Sequence, residues 1–183
     1  LILLPTSGAP TPADGIHNTA DIRVAQSTLA NPTAYAYYPA PDGDGPAYAG
    51  DVWFGTQTDY SAPIVGSIGW HGALHELGHA FGLKHGHEAD VYGALPADRD
   101  SLEFSVMTYR SYIGGPATYY LPEEHSGPQT LMMYDIAALQ AMYGADYATN
   151  ASDTIYTWSP TTGEMSLNGA AQGAPGGNRV FLT

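Results

Sequence analysis

The run His75-Glu76-Leu77-Gly78-His79-Ala80-Phe81-Gly82-Leu83-Lys84-His85 limits what this chain can fold into more than any other stretch. At about 100° per residue, His75 and His79 stand one turn apart on one helix face and can reach a single metal ion from a rigid backbone. Glu76 is offset around the helix from that pair. It is too far round to be a third ligand, yet near enough to reach a water in an open position of the metal, which is the place of a general base. Gly82 adopts the left-handed conformation of a helix C-cap without steric cost, so the chain turns sharply there. His85 returns from outside the helix as the third ligand. Three histidines leave the fourth position of a tetrahedral zinc open, whereas a structural site closes it. Zinc is therefore the expected cofactor, and an open position points to catalysis. A helix that is merely rich in histidine is the competing explanation. With 7 His among 183 residues, five fixed positions are hard to meet by chance.

The pattern His-Glu-x-x-His-x-x-Gly-x-x-His is the signature of metzincin metallopeptidases, which also carry a methionine turn downstream. Ser105-Val106-Met107-Thr108-Tyr109 resembles the Met-turn of the serralysin family in particular, and Asp135 to Gly144 resembles the C-terminal helix of serralysin catalytic domains. The resemblance implies an α/β (α+β) zincin-like fold: a twisted mixed sheet, an active-site helix, the Met-turn and a C-terminal helix. It implies that Met107 is the floor beneath the zinc site. Tyr109 is implied as a fifth metal ligand that leaves to hydrogen-bond the oxyanion of the reaction. The implied activity is that of a zinc metalloendopeptidase acting on protein or peptide substrates, with Glu76 and Tyr109 catalytic and His75, His79, His85 and Tyr109 at the metal. Two alternatives stand beside it. One is a matrixin-like metzincin peptidase; the other is a non-catalytic metal-binding module of a secreted assembly, against which Glu76 argues because a structural site needs no base.

Charge narrows the partners. With 18 acidic residues against 5 basic and a net charge of -13, binding to nucleic acid or to an anionic membrane is disfavoured. Calcium becomes a second candidate cation. Asp42 and Asp44 in Pro41-Asp42-Gly43-Asp44-Gly45 could offer carboxylates to it, although Asp-Gly pairs are first of all turn formers. The chain has no cysteine, so the fold rests on packing and bound metal. No apolar run approaches the roughly 20 residues that span a bilayer, and Leu1 to Leu4 is too short for a targeting segment, so no membrane insertion is expected. The resemblance implies a secreted, extracellular protein.

Along the chain, residues 5–20 read as a loop with His17 at the surface. Ala20 to Gln26 holds a short strand, Ala34 to Tyr38 alternates with period two and stops at Pro39, and Asp51 to Phe54 is closed by Gly55. The resemblance makes Ala34 to Tyr38 the antiparallel edge strand that pairs with an extended substrate. The active-site helix is expected to start between Ser67 and His71 and run to Phe81, with Leu74, Leu77, Gly78 and Phe81 available to the sheet. His71 precedes His75 by one turn on the same face; with three ligands already in place, it reads as lying beside the site and not on the metal. His87 and His125 read as solvent-facing. Residues 86–104 form a loop into the Met-turn, and residues 111–128 an irregular wall of the substrate site. Gln129 to Tyr143 reads as a core helix through Met132, Ile136, Leu139 and Tyr143, stopped by Gly144.

Residues 1–183 are thus expected to be a partial catalytic domain. Residues 145–183 form a tail, with a strand at Tyr156-Thr157-Trp158, that leads through Val180-Phe181-Leu182 towards a calcium-binding repeat domain not contained in the chain. Two departures from the family stand out. The chain has no room for the strand and long helix that precede the first strand in serralysins: either a companion segment supplies them or this is a reduced domain. Gly86 also stands where serralysins commonly carry proline.

Overall fold

The computed structural model of the protein describes residues 21–40, 45–118, 121, 125–149 and 151–172. The described residues fall in two compact units, one of residues up to 62 together with 72–84, the other of 63–71 together with the chain from 85 onward.

In the first unit three short strands form a mixed sheet: β1 (Val24–Gln26), β2 (Ala34–Ala36) and β3 (Val52–Phe54). The order is β1-β3-β2, so the central strand arrives last. It runs parallel to β1, with Val24 opposite Val52, and antiparallel to β2, with Ala36 opposite Val52. The expectation of an antiparallel edge strand at Ala34 is met. Alternation sends Val52 and Phe54 to the same face, where both are buried. Before β3, the buried Asp51 carboxylate accepts a fork from Arg23, Nε to Oδ1 at 2.7 Å and Nη2 to Oδ2 at 2.6 Å, which ties the approach to β1 to the start of β3.

Helix α1 (Ile68–Ala80) covers the buried face of this sheet. Its start is capped by the Ser67 hydroxyl, which accepts the Trp70 N–H at 3.2 Å. Its end has the double bond pattern of a glycine-terminated helix: Leu83 N–H donates to the Gly78 carbonyl at 2.9 Å and Gly82 N–H to the His79 carbonyl at 2.8 Å. Gly82 has φ 96°, as its expected capping role demands. The packing stripe, however, is Ala73, Leu77 and Ala80, and of the four residues expected there only Leu77 takes part. Small side chains at 73 and 80 let the helix lie close to Val52 and Phe54. That rotation carries His75 and His79 roughly 200° to 240° round from Ala73, away from the apolar stripe.

The second unit has little regular structure. Helix α2 (Met133–Tyr143) begins four residues later than expected. The delay has a local cause: the Asp135 carboxylate accepts the Met132 N–H at 2.8 Å, so Met132 is held extended as the cap. Gly144, φ 87°, stops the helix as expected. Of the four residues that its spacing assigned to the core, only Met132, at the cap, is fully buried. Asp135 is its one buried residue, Ile136 and Leu139 are half-buried, and Tyr143 is 62% exposed. Further on, β4 (Tyr156–Trp158), β5 (Met165–Leu167) and β6 (Ala170–Ala171) make an antiparallel meander. The first strand was expected. The β5–β6 hairpin was not, although Asn168-Gly169, with φ 50° and 82°, carries the sequence mark of a two-residue turn.

Helices and small mixed sheets together give the expected α+β class. No helix among the described residues is long and apolar enough to cross a membrane. His17, Asp42, Asp44 and Val180-Phe181-Leu182 lie outside the described residues, so the calcium expectation falls there too.

Candidate metal centre

His75, His79 and His85 each offer a ring nitrogen, and the three atoms lie within 4.8 Å of one another. His75 and His79 are buried on α1, their rings edge to face at 4.8 Å. Two of the three tautomers are fixed by neighbours. His79 Nδ1 lies 2.8 Å from the Leu83 carbonyl, which can only accept, so Nδ1 carries the proton and Nε2 keeps its lone pair. Leu83 is where it is because of the Gly82 turn, so the residue that ends the helix also orients the His79 ring. His85 Nδ1 donates to Glu88 Oε1 at 2.8 Å, and its backbone N–H donates to Glu88 Oε2 at 3.1 Å. Its Nε2 lies 3.1 Å from the Tyr109 hydroxyl. Three imidazole nitrogens brought this close, two of the rings backed by a carbonyl and a carboxylate, fit a zinc-type cation.

Glu76 is buried, 8% exposed, and burial pushes its carboxyl up to about 7. Tyr60 is raised as well, first by burial and then by the Glu76 charge. Its ring stacks on Phe54 at 4.5 Å, and a Cβ on Gly72 would meet its hydroxyl at 2.9 Å. Gly72 thus clears the helix surface for the phenol one turn before Glu76.

The other histidines sort as follows. His71 is fully buried, outside the ligand set, and burial lowers it to about 4. Its Nε2 stands 2.9 Å from the Val106 carbonyl. His87 is exposed, as expected, with its ring stacked on His85 at 5.3 Å. His125 corrects the sequence reading: it is half-buried and not solvent-facing. It has φ 60°, and its carbonyl comes within 2.5 Å of where a Cβ on Gly66 would stand, so close backbone packing brings it in.

In the Met-turn, Val106 and Met107 are buried at 0% and 2% exposure. Asp135 holds the turn from α2. Its carboxylate accepts the Ser105 hydroxyl at 2.6 Å and the Val106 N–H at 2.8 Å, while Ser105 Oγ accepts the Met107 N–H at 3.0 Å. The Met107 carbonyl in turn accepts the Gly86 N–H at 3.3 Å. A Cβ on Gly86 would come within 2.8 Å of Leu95 Cδ1. Here is a physical reason for glycine at a position where the family commonly has proline: this packing uses the N–H that proline lacks and leaves no space for a side chain. Beyond the turn, the buried Asp100 accepts the Thr108 hydroxyl and, at 2.9 Å, Arg110 Nε. Sequence reasoning missed Glu88, Asp100 and Asp135. Glu88, three residues after His85, and Asp135, in the first turn of a helix, carried faint local signals; Asp100 carried none.

No family model matches the chain. Among curated proteins it is similar to metallopeptidase AprA of Pseudomonas marginalis, 34% identical over 152 residues covering 74% of this chain and 30% of the relative. It is also similar to serralysin G of Dickeya chrysanthemi, 30% identical over 73% of this chain and 27% of the relative. A third relative is serralysin of Proteus mirabilis, 31% identical over 76% and 27% respectively. An α+β fold with a three-histidine cluster at the end of a helix is the architecture of the metzincin class. With these relatives, the chain belongs to the serralysin-like metzincins. It spans less than a third of the length of each of these three relatives.

Proposed function

We propose that this chain hydrolyses peptide bonds in protein substrates, with zinc held by His75, His79 and His85. The observation that carries the reading is the gathering of three ring nitrogens within 4.8 Å, with a buried carboxylate next to one of them on the same helix. Zinc in this position supplies a Lewis acid that polarises a scissile carbonyl and acidifies water. Glu76, buried and next to His75 on the same helix, takes the proton of the attacking water and delivers it to the leaving amine. The Tyr109 hydroxyl, which reaches to 3.1 Å from His85 Nε2, moves to the oxyanion as charge develops there. Ala34 to Tyr38, on the edge of the sheet, receives the substrate as an added antiparallel strand. In this reading the described residues belong to the catalytic part of a protein that works outside the cell.

The test is hydrolysis of an unfolded protein by the purified chain, with and without a zinc chelator, beside Glu76→Ala. The expected result is one zinc per chain in both proteins, chelator-sensitive cleavage in the first and none in the second. Near-normal turnover by Glu76→Ala, or loss of its zinc, overturns the assignment of Glu76 as base.

A further inference from the structure

Val106 of the Met-turn meets His71 in the first turn of helix α1, and both the N–H and the carbonyl of Val106 are engaged. Its N–H donates to Asp135 Oδ2 at 2.8 Å, and its carbonyl lies 2.9 Å from His71 Nε2. A carbonyl only accepts, so His71 is the donor, with the proton on Nε2. Burial keeps the imidazole neutral, since the charged form is disfavoured without water. At the far end, Asp135 also binds the Ser105 hydroxyl and the Met132 N–H, so the turn cannot slide without breaking several buried bonds at once. His71 therefore grips a part of the molecule that is itself held fast.

The consequence lies one turn along α1. His71 and His75 share a helix face, four residues apart, and a helix turns as a rigid rod over so short a distance. Resting on the reading of a zinc site, we propose that His71 is a positioning residue of the metal centre: the bond it donates to Val106 sets the rotation of α1 and hence the direction from which His75 reaches the metal. This role is independent of metal ligation, which the sequence had already argued against. It differs from mere space-filling in requiring an N–H donor at the end of a side chain of this length.

Two variants separate the donor from the bulk. His71→Leu keeps an apolar side chain in the buried site and removes the donor; His71→Gln keeps a side-chain N–H within reach of the same carbonyl. The measurement is the zinc dissociation constant of the folded chain, by competition with a chromophoric chelator, with far-ultraviolet circular dichroism of the metal-free proteins as the control for folding. His71→Leu is expected to bind zinc about 10- to 100-fold more weakly, and His71→Gln within a few-fold of the wild type. Equal weakening in both variants, or none in His71→Leu, overturns the proposal. If His71→Leu does not fold, Asp135→Asn tests the same relay from its other end. There the expected result is again weaker zinc binding in a folded protein, and unchanged affinity overturns it. A wild-type chain that binds no zinc overturns the metal reading itself, an outcome distinct from a wild type that binds and variants that match it.

Discussion

Glu76→Gln in the metal-free protein isolates the cost of burying an ionisable base. The group is 8% exposed, and burial moves its carboxyl from an ordinary 4.5 to about 7. A raised carboxyl means that the folded state holds its proton more tightly than the unfolded state does. The contribution of Glu76 to stability is therefore greatest below pH 4.5 and falls as the pH rises from there to about 7. A difference of about 2.5 pH units at about 1.4 kcal/mol each gives a loss of roughly 3 kcal/mol by neutral pH, a large part of the 5–15 kcal/mol that holds a domain folded. Glutamine has nearly the same shape and cannot ionise. Urea unfolding of both proteins without metal, at pH 4 and pH 8, should show little difference at the lower pH. At the higher pH the variant should be more stable by up to about 3 kcal/mol. If the two unfold alike at pH 8, Glu76 is not held in a medium that resists its charge, and the argument for a tuned base fails.

Tyr109→Phe should lower kcat about 10- to 1,000-fold with little change in KM, because its hydroxyl acts chiefly in the transition state; steady-state kinetics with zinc analysis checks this, and unchanged kcat returns the residue to packing. Asp135→Ala leaves the Val106 and Met132 N–H groups without their carboxylate acceptor in a buried place, at about 1–3 kcal/mol each, so chemical denaturation should register a loss of roughly 2–6 kcal/mol. Gly86→Pro removes the N–H that bonds Met107 and forces ring atoms towards Leu95, so its urea midpoint should drop even though proline is the familiar residue of the family there. Gly66→Ala meets the His125 carbonyl at 2.5 Å with φ 79° and should destabilise in the same assay, whereas Gly93→Ala, also at positive φ but with open space around it, should cost less.

The parts legible in the sequence were those whose physics is local. Strand alternation marked β1, β2 and β3, and the glycine at 82 marked the end of α1, because a period or a cap is written within a few residues. The edge place of Ala34 to Tyr38 and the class of the fold came with the resemblance. Misreadings arose where a pattern had two solutions. In α1 the stripe 74, 77, 78, 81 and the stripe 73, 77, 80 both suit a helix; the observed one brings two alanines against Val52 and Phe54, a choice made by the sheet. In α2 the apolar spacing was real, but of its four residues only Met132 is fully buried and Tyr143 faces solvent, since what anchors that helix is a carboxylate that a hydrophobicity pattern counts as polar. The Asn168-Gly169 turn is as local as the strand periods and the Gly82 cap, with both residues at positive φ.

The supporting residues of the site were hidden for a different reason. His75, His79 and His85 lie within eleven residues of chain, whereas Asp135 meets Ser105 and Val106 across about thirty, and no periodicity spans such a gap. The nature of that support follows from what a metal centre needs. Apolar packing sets distances well and angles poorly, because dispersion has no direction. Hydrogen bonds set angles, and a functional constellation has to be held within tenths of an ångström and 10–20°. Among the described residues the second unit buries Ser101, Thr108, Ser126, His71 and Asp135 beside Val106, Met107 and Met132, so directional bonds run through its interior. A buried polar group without a partner is costly, so such an interior tolerates few alternative arrangements. The chain lacks disulfides, and its Met-turn is located instead by Asp135 on one side and His71 on the other. Directional bonding of this kind explains how a short, largely loop-built segment can hold a fixed conformation.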